Sequence, residues 1–140
     1  MLARVCAGVL LLALSGCAGG IFPGGNRQAL PPLDPGKGRV FVYRNSTMGS
    51  PYAPEVLLNG ELVGRLADSG VIFRDVPPGS YAVTASRISS VVNFAVGAGE
   101  RKYIRFSSGF FDKFMHPEMV DANQCESETS GLRVVVQGKK

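Results

Sequence analysis

From residue 39 onward the chain is a series of short β-branched and aromatic runs, each cut by residues that turn the backbone: Asn59-Gly60, Asp68-Ser69-Gly70, Pro77-Pro78-Gly79 and Gly97-Ala98-Gly99. Turns at roughly ten-residue spacing leave no room for a helix of ordinary length, and they set the cadence of a β-sandwich or small barrel. The runs predict strands at 39–44, 55–58, 61–66, 71–76, 80–87, 91–96, 101–107 and 132–137, which makes seven or eight antiparallel strands in an all-β domain. Parallel α/β units are excluded. Asn59 and Gly60 both tolerate positive φ, as a two-residue type I′ hairpin demands. Alternation places Lys102, Ile104 and Phe106 on one face of their strand and Arg101, Tyr103 and Arg105 on the other. Leu132, Val134 and Val136 align likewise, so Ile104, Phe106, Val134 and Val136 are expected in the core. One short helix is expected after Asp121, its cap, with Gln124 as capping-box partner and with Glu126 and Glu128 facing solvent.

The N-terminus reads as an address. Residues 1–4 are short and cationic, residues 5–14 are almost unbroken in their apolar character, and Leu14-Ser15-Gly16-Cys17 closes the run with small residues. An apolar run of about ten residues is too short to cross a bilayer, which needs about 20, so a cleaved export signal is the better reading. Leu14, Ser15, Gly16 and Cys17 resemble the lipobox of bacterial lipoproteins position by position. That resemblance implies a signal peptide over 1–16, a diacylglycerol thioether on Cys17 and a third acyl chain on its freed amine. Each buried methylene adds ~0.8 kcal/mol, so such an anchor is firm. By the same resemblance Ala18, where Asp would favour inner-membrane retention, implies the outer membrane of a diderm host, and a periplasm-facing domain is a separate expectation that Ala18 does not decide. Residues 17–38 then form a tether, since Gly19, Gly20, Gly24, Gly25, Gly36 and Gly38 are interleaved with Pro23, Pro31, Pro32 and Pro35. The sandwich domain is expected over 39–137.

A second resemblance lies within the domain. The hairpin 55–66, with Asn59-Gly60 and Val63-Gly64, is followed by Phe73 and then by Val76-Pro77-Pro78-Gly79-Ser80-Tyr81. This pattern is similar to domain-of-unknown-function family 2846, lipoprotein domains related in style to PEGA repeats. The resemblance implies a transthyretin-like or immunoglobulin-like sandwich, and it supplies no functional residue to carry over.

No constellation of catalytic residues stands out. A net charge of +4, with its cations scattered, does not suit a nucleic-acid face, and the cations read as solvated parts of the sheets. His116 is the sole histidine, so a zinc site would have to recruit Asp112 or Glu118 with distant partners, and a surface or loop position beside Pro117 is the simpler reading. Ser86, Ser89, Ser90, Ser107 and Ser108 lie in no Gly-x-Ser-x-Gly elbow. Asp68 and Asp75 fall at turns or strand ends, and Gly97-Ala98-Gly99 opens no helix that could cradle a nucleotide. No cofactor or metal is implied. Cys125 is expected either buried or paired with another molecule. The apolar segment Phe110, Phe111, Phe114 and Met115 reads either as a flap over the open end of the sandwich or as a partner surface, with Phe110 and Met115 partly exposed. These features predict a non-catalytic envelope lipoprotein that binds or builds, with the membrane and an envelope protein as its partners. The alternative is a periplasmic hydrolase of peptidoglycan or lipid, which would have to gather His116, a serine and a carboxylate in one cleft.

Overall fold

A computed structural model describes residues 30–45, 52–108, 115–130 and 133–135. The elements run β1 (Gly38–Arg44), β2 (Glu55–Leu58), β3 (Glu61–Arg65), β4 (Gly70–Val76), β5 (Gly79–Ala85), β6 (Val92–Val96), β7 (Arg101–Ser108), β8 (Met115–Val120), α1 (Ala122–Thr129) and β9 (Arg133–Val135). They form an all-β sandwich of a five-stranded sheet, ordered β8-β7-β1-β4-β9, and a four-stranded sheet, ordered β3-β2-β5-β6.

The four-stranded sheet is antiparallel throughout. The five-stranded sheet corrects the expectation of a purely antiparallel fold, because β1 pairs parallel with β7 and β4 parallel with β9. Parallel neighbours need a long crossover. Here the chain leaves β1, builds the four-stranded sheet and β4, and only then returns as β7, so the crossover is the rest of the sandwich. The Asn59-Gly60 turn forms as expected, with φ of 50° and 80°. Asn59 also ties its hairpin to β5, its Oδ1 accepting from the Ala82 amide at 2.8 Å.

One strand is added and the expected helix forms. The expected long loop after β7 contains β8, a strand hidden from sequence reading by Pro117, which cannot donate to a ladder. Proline is tolerated there because β8 is the edge of its sheet and its other side needs no partner. The helix forms where Asp121 predicted it, the Asp121 carboxylate accepting from the Gln124 amide at 2.8 Å.

The main core lies between the sheets. Val40, Val42, Ile72, Val76, Ile104 and Phe106 from one sheet meet Val56, Leu58, Val63, Val83, Ala85 and Val96 from the other. All seven residues of β1 are buried, because its outer face is covered too. There Phe41, Tyr43, Val71 and Tyr103 pack with Cys125 of α1, and Leu30, Phe73 and Val120 close around them. Cys125 is a buried free thiol, one of the two expected states.

The register defines two ends of the sandwich. At the near end the start of β1 lies level with Val76, and a Cβ on Gly38 would sit 2.0 Å from Cγ1 of Val96 across the sheets. At the far end Arg44 lies level with Phe106, Phe106 with Pro117, and Val56 with Ala85. Part of the expected tether belongs to the folded unit. Leu30 packs on the outer cluster, the Pro31 carbonyl accepts from Arg39 Nη1 at 2.8 Å, and the Lys37 carbonyl accepts from the Gly99 amide at 2.9 Å. Arg39 has donors left for this after pairing with Asp75, and carbonyls are the one polar backbone group a proline offers.

Candidate functional site

The far end is built around one unusual turn. The Ile88 amide donates to the Ala85 carbonyl at 3.1 Å, closing a turn whose third residue, Arg87, has φ of 62°. That position favours Gly or Asn, and a left-handed conformation costs an L side chain ~1–2 kcal/mol. Neighbours fix the turn in place. Tyr52 donates its hydroxyl to the Ser86 carbonyl at 2.9 Å, and Ser86 Oγ accepts from the Glu55 amide at 3.0 Å. The Arg87 guanidinium is then carried to 5.3 Å from the centre of the Tyr52 ring.

Arg87, Ile88, Ser89, Ser90, Met115 and His116 line a cleft of about 410 Å³. Ser90 Oγ lies 3.4 Å from His116 Nδ1 across it. Among the described residues no carboxylate lies within ion-pair distance of Arg87, whereas Arg39, Arg44, Arg65 and Arg74 each have one and Arg105 has two. A second cleft, of about 210 Å³ beside Asn59 and Pro77, makes the contrast clear. Its charges are already neutralised, Arg74 by Glu61 and Asp75 by Arg39. Of the two, the far-end cleft is the one with an uncommitted cation for a guest.

The sequence-predicted residues fare differently. Met115 is corrected: it is 6% exposed and belongs to the main core, because pairing with β7 turns Met115 and Pro117 inward and leaves His116 and Glu118 outward. It therefore offers the cleft a floor and not a protruding anchor. Phe110, Phe111 and Phe114, like the lipid-attachment candidate Cys17, lie outside the described residues. His116 is exposed on β8 and meets Ser89 and Ser90 in the cleft, yet no Asp or Glu is among the described residues lining it. Asp68 and Asp75 do not converge: one sits 3.8 Å from Arg44 at the far end and the other pairs with Arg39 at the near end. No group of three or more potential metal ligands occurs among the described residues. Arg87 was missed, and nothing in the sequence singles out a left-handed arginine.

The expectation of solvated cations is corrected at two positions of β1. Arg39 and Arg44 are each 3% exposed. Arg39 is satisfied by Asp75, at 2.8 Å from Nη2 to Oδ2, and lies 4.6 Å from the Phe73 ring centre. Arg44 donates to the Tyr52 carbonyl at 2.7 Å, linking β1 to the residue whose hydroxyl braces the Arg87 turn.

Glu128 is a further correction, for it faces the sheet. Tyr43 donates its hydroxyl to Glu128 at 2.6 Å, Gln124 donates at 3.1 Å, and Arg105 bridges Glu128 and Glu118. Burial alone would raise the Glu128 carboxyl, but the hydrogen bonds from Tyr43 and Gln124 and the charge of Arg105 outweigh it and hold its pKa below the ordinary value. Burial pushes Tyr43 up, helped by its bond to Glu128. Burial likewise pushes the Cys125 thiol up to about 12. These groups latch α1 onto β1 and β7, and a thiol held so far up is a packing group, not a nucleophile.

Comparison with curated proteins and with solved structures finds no match. Comparison with protein families matches residues 34–117 to a family described as a protein of unknown function, DUF2846. The match runs from the turn before β1 into β8, taking in the four-stranded sheet, the Arg87 turn and His116, and it stops short of α1. It spans more than half of the chain, so this protein belongs to the DUF2846 family.

Proposed function

We infer that this chain is a non-catalytic lipoprotein of the bacterial envelope, a β-sandwich carried on a lipid anchor at Cys17 that binds a partner through its far-end cleft. The observation that carries this reading is the separation of the two ends. The chain enters the described fold at Leu30, whose neighbour Pro31 is held by Arg39 at the start of β1, while the cleft opens beyond the other end of the same strand. Seven strand residues span about 20 Å, so an anchored domain with this layout carries its cleft at the end away from the point where its chain enters. Ala18 supports outer-membrane placement, a periplasm-facing domain is part of the same proposal, and so is kinship with PEGA and transthyretin-like sandwiches. The test is intact mass and membrane fractionation of the wild type against Cys17→Ser. A triacylated, membrane-bound wild type and an uncleaved, unmodified variant are expected. An unmodified mature terminus downstream of Cys17 in the wild type would overturn the anchor.

The approach of Ser90 to His116 favours one rival, a serine hydrolase. A fluorophosphonate probe separates the two: the binding reading predicts no labelling of Ser90, and the hydrolase reading predicts labelling that Ser90→Ala abolishes.

A further inference from the structure

We propose that the far-end cleft is a carboxylate site, in which Arg87 receives the carboxylate of a small ligand or chain terminus and Ile88 and Met115 receive its apolar substituent. This rests on the cleft being a binding surface, and it requires neither the lipid anchor nor the envelope location.

Three observations converge. First, Arg87 is the one permanently charged side chain among the described lining residues, and none of the described carboxylates pairs with it. A guanidinium offers a planar fork that fits a carboxylate in two parallel hydrogen bonds, and a single cation balances a singly charged oxyanion but leaves a phosphomonoester dianion half compensated. Second, Arg87 keeps a left-handed backbone in a turn that Gly would complete without strain. Strained residues persist where the surroundings over-determine them, and here Tyr52, Ser86 and Glu55 do so while aiming the strained residue at a cleft. Third, the rest of the lining is divided by character. Ser89, Ser90 and His116 supply polar groups and Ile88 and Met115 supply an apolar surface, in a volume within the ~300–1,000 Å³ range of small-molecule sites. Such a mixture suits a carboxylate bearing a few carbons.

The test uses the full chain in detergent, followed by NMR at the Arg87 Nε–H and the Ile88 and His116 amides, with four probes. Hexanoate and N-acetylleucine represent a fatty acid and a peptide terminus, hexanamide is the neutral isostere, and hexyl phosphate is the rival anion. At least one carboxylate is expected to shift these signals and to bind about ten- to hundredfold tighter than hexanamide, the factor of one charge-assisted hydrogen bond. Whichever of the two carboxylates binds tighter identifies the source. Arg87→Gly is expected to lose that factor while its Tm rises, since Gly removes the strain, and Arg87→Gln should lose it with the side-chain bulk retained. Tighter binding of hexyl phosphate, equal binding of hexanamide, unchanged affinity in both variants or a lowered Tm in Arg87→Gly would each overturn the proposal. Failure of both carboxylates would overturn it too, whereas crosslinking of a partner from Ser89 would still leave the binding reading standing.

Discussion

The two faces of β1 are both fully buried, yet they are held by different chemistry. The inner face, with Val40 and Val42, meets the four-stranded sheet through aliphatic side chains and Phe106. The outer face, with Phe41 and Tyr43, is closed by α1 through stacked aromatics, Phe41 and Tyr103 lying 5.3 Å apart, and by the polar collar of Tyr43, Glu128 and Arg105. Aliphatic burial is non-directional and indifferent to pH, so alternation alone specifies the inner face. The outer face depends on individual hydrogen bonds between distant residues, and that makes it the side that proton concentration can loosen.

Alanine at Phe106 attacks the inner face where it is fully buried, and a loss of ~3–5 kcal/mol in denaturant unfolding is expected, equal at pH 7 and pH 4. Gly38→Val strikes the seam between the sheets, where the added carbon would overlap Val96 and approach the Gly97 carbonyl to 2.7 Å. Overpacking there should cost ~1–3 kcal/mol, again independent of pH. Glu128→Gln weakens the collar and should cost about 1–2 kcal/mol at pH 7, below the inner-face changes because its bonds replace ones to water. The acid limb gives the sign. Glu128 has a lowered folded pKa, so its contribution is complete above the ordinary glutamate value of about 4.3 and is lost as pH falls through the lowered one. Wild-type stability should decline across that window, and Glu128→Gln should flatten part of the decline. The smallest effect is on the thiol. Cys125, raised from 9.0 to about 12, adds stability that is complete below pH 9 and fades as pH rises towards 12, and disulfide reagents at pH 8 should label it only as fast as α1 opens.

Much of this division could be read in advance. Ile104 and Phe106 are in the core because strict alternation puts them there, and the Asp121 cap and the Asn59-Gly60 turn are local chemistry that sequence states directly. The four apolar residues at the centre of β1 break alternation, which is the signature of a strand covered on both faces. What stayed hidden depends on distance along the chain. Arg39 looks like a solvated charge until Asp75, 36 residues away, is placed beside it. Glu128 looks exposed until α1 docks on Tyr43. Pro117 disguised an edge strand, and without β8 the union of His116 with Ser89 and Ser90 had no geometry to suggest it. Arg87 draws its significance from a backbone angle that its neighbours impose.

The proposed function makes the far end, remote from the point where the chain enters the fold, the binding end. Photo-crosslinking in cells from full-length protein tests it directly, with the probe placed either at Ser89 in the cleft or at the exposed Ala98 of the near-end turn. A discrete adduct from Ser89, abolished by Arg87→Gly, with none from Ala98, is the predicted result. Adducts from Ala98 alone, or equal adducts from both positions that survive Arg87→Gly, would contradict it.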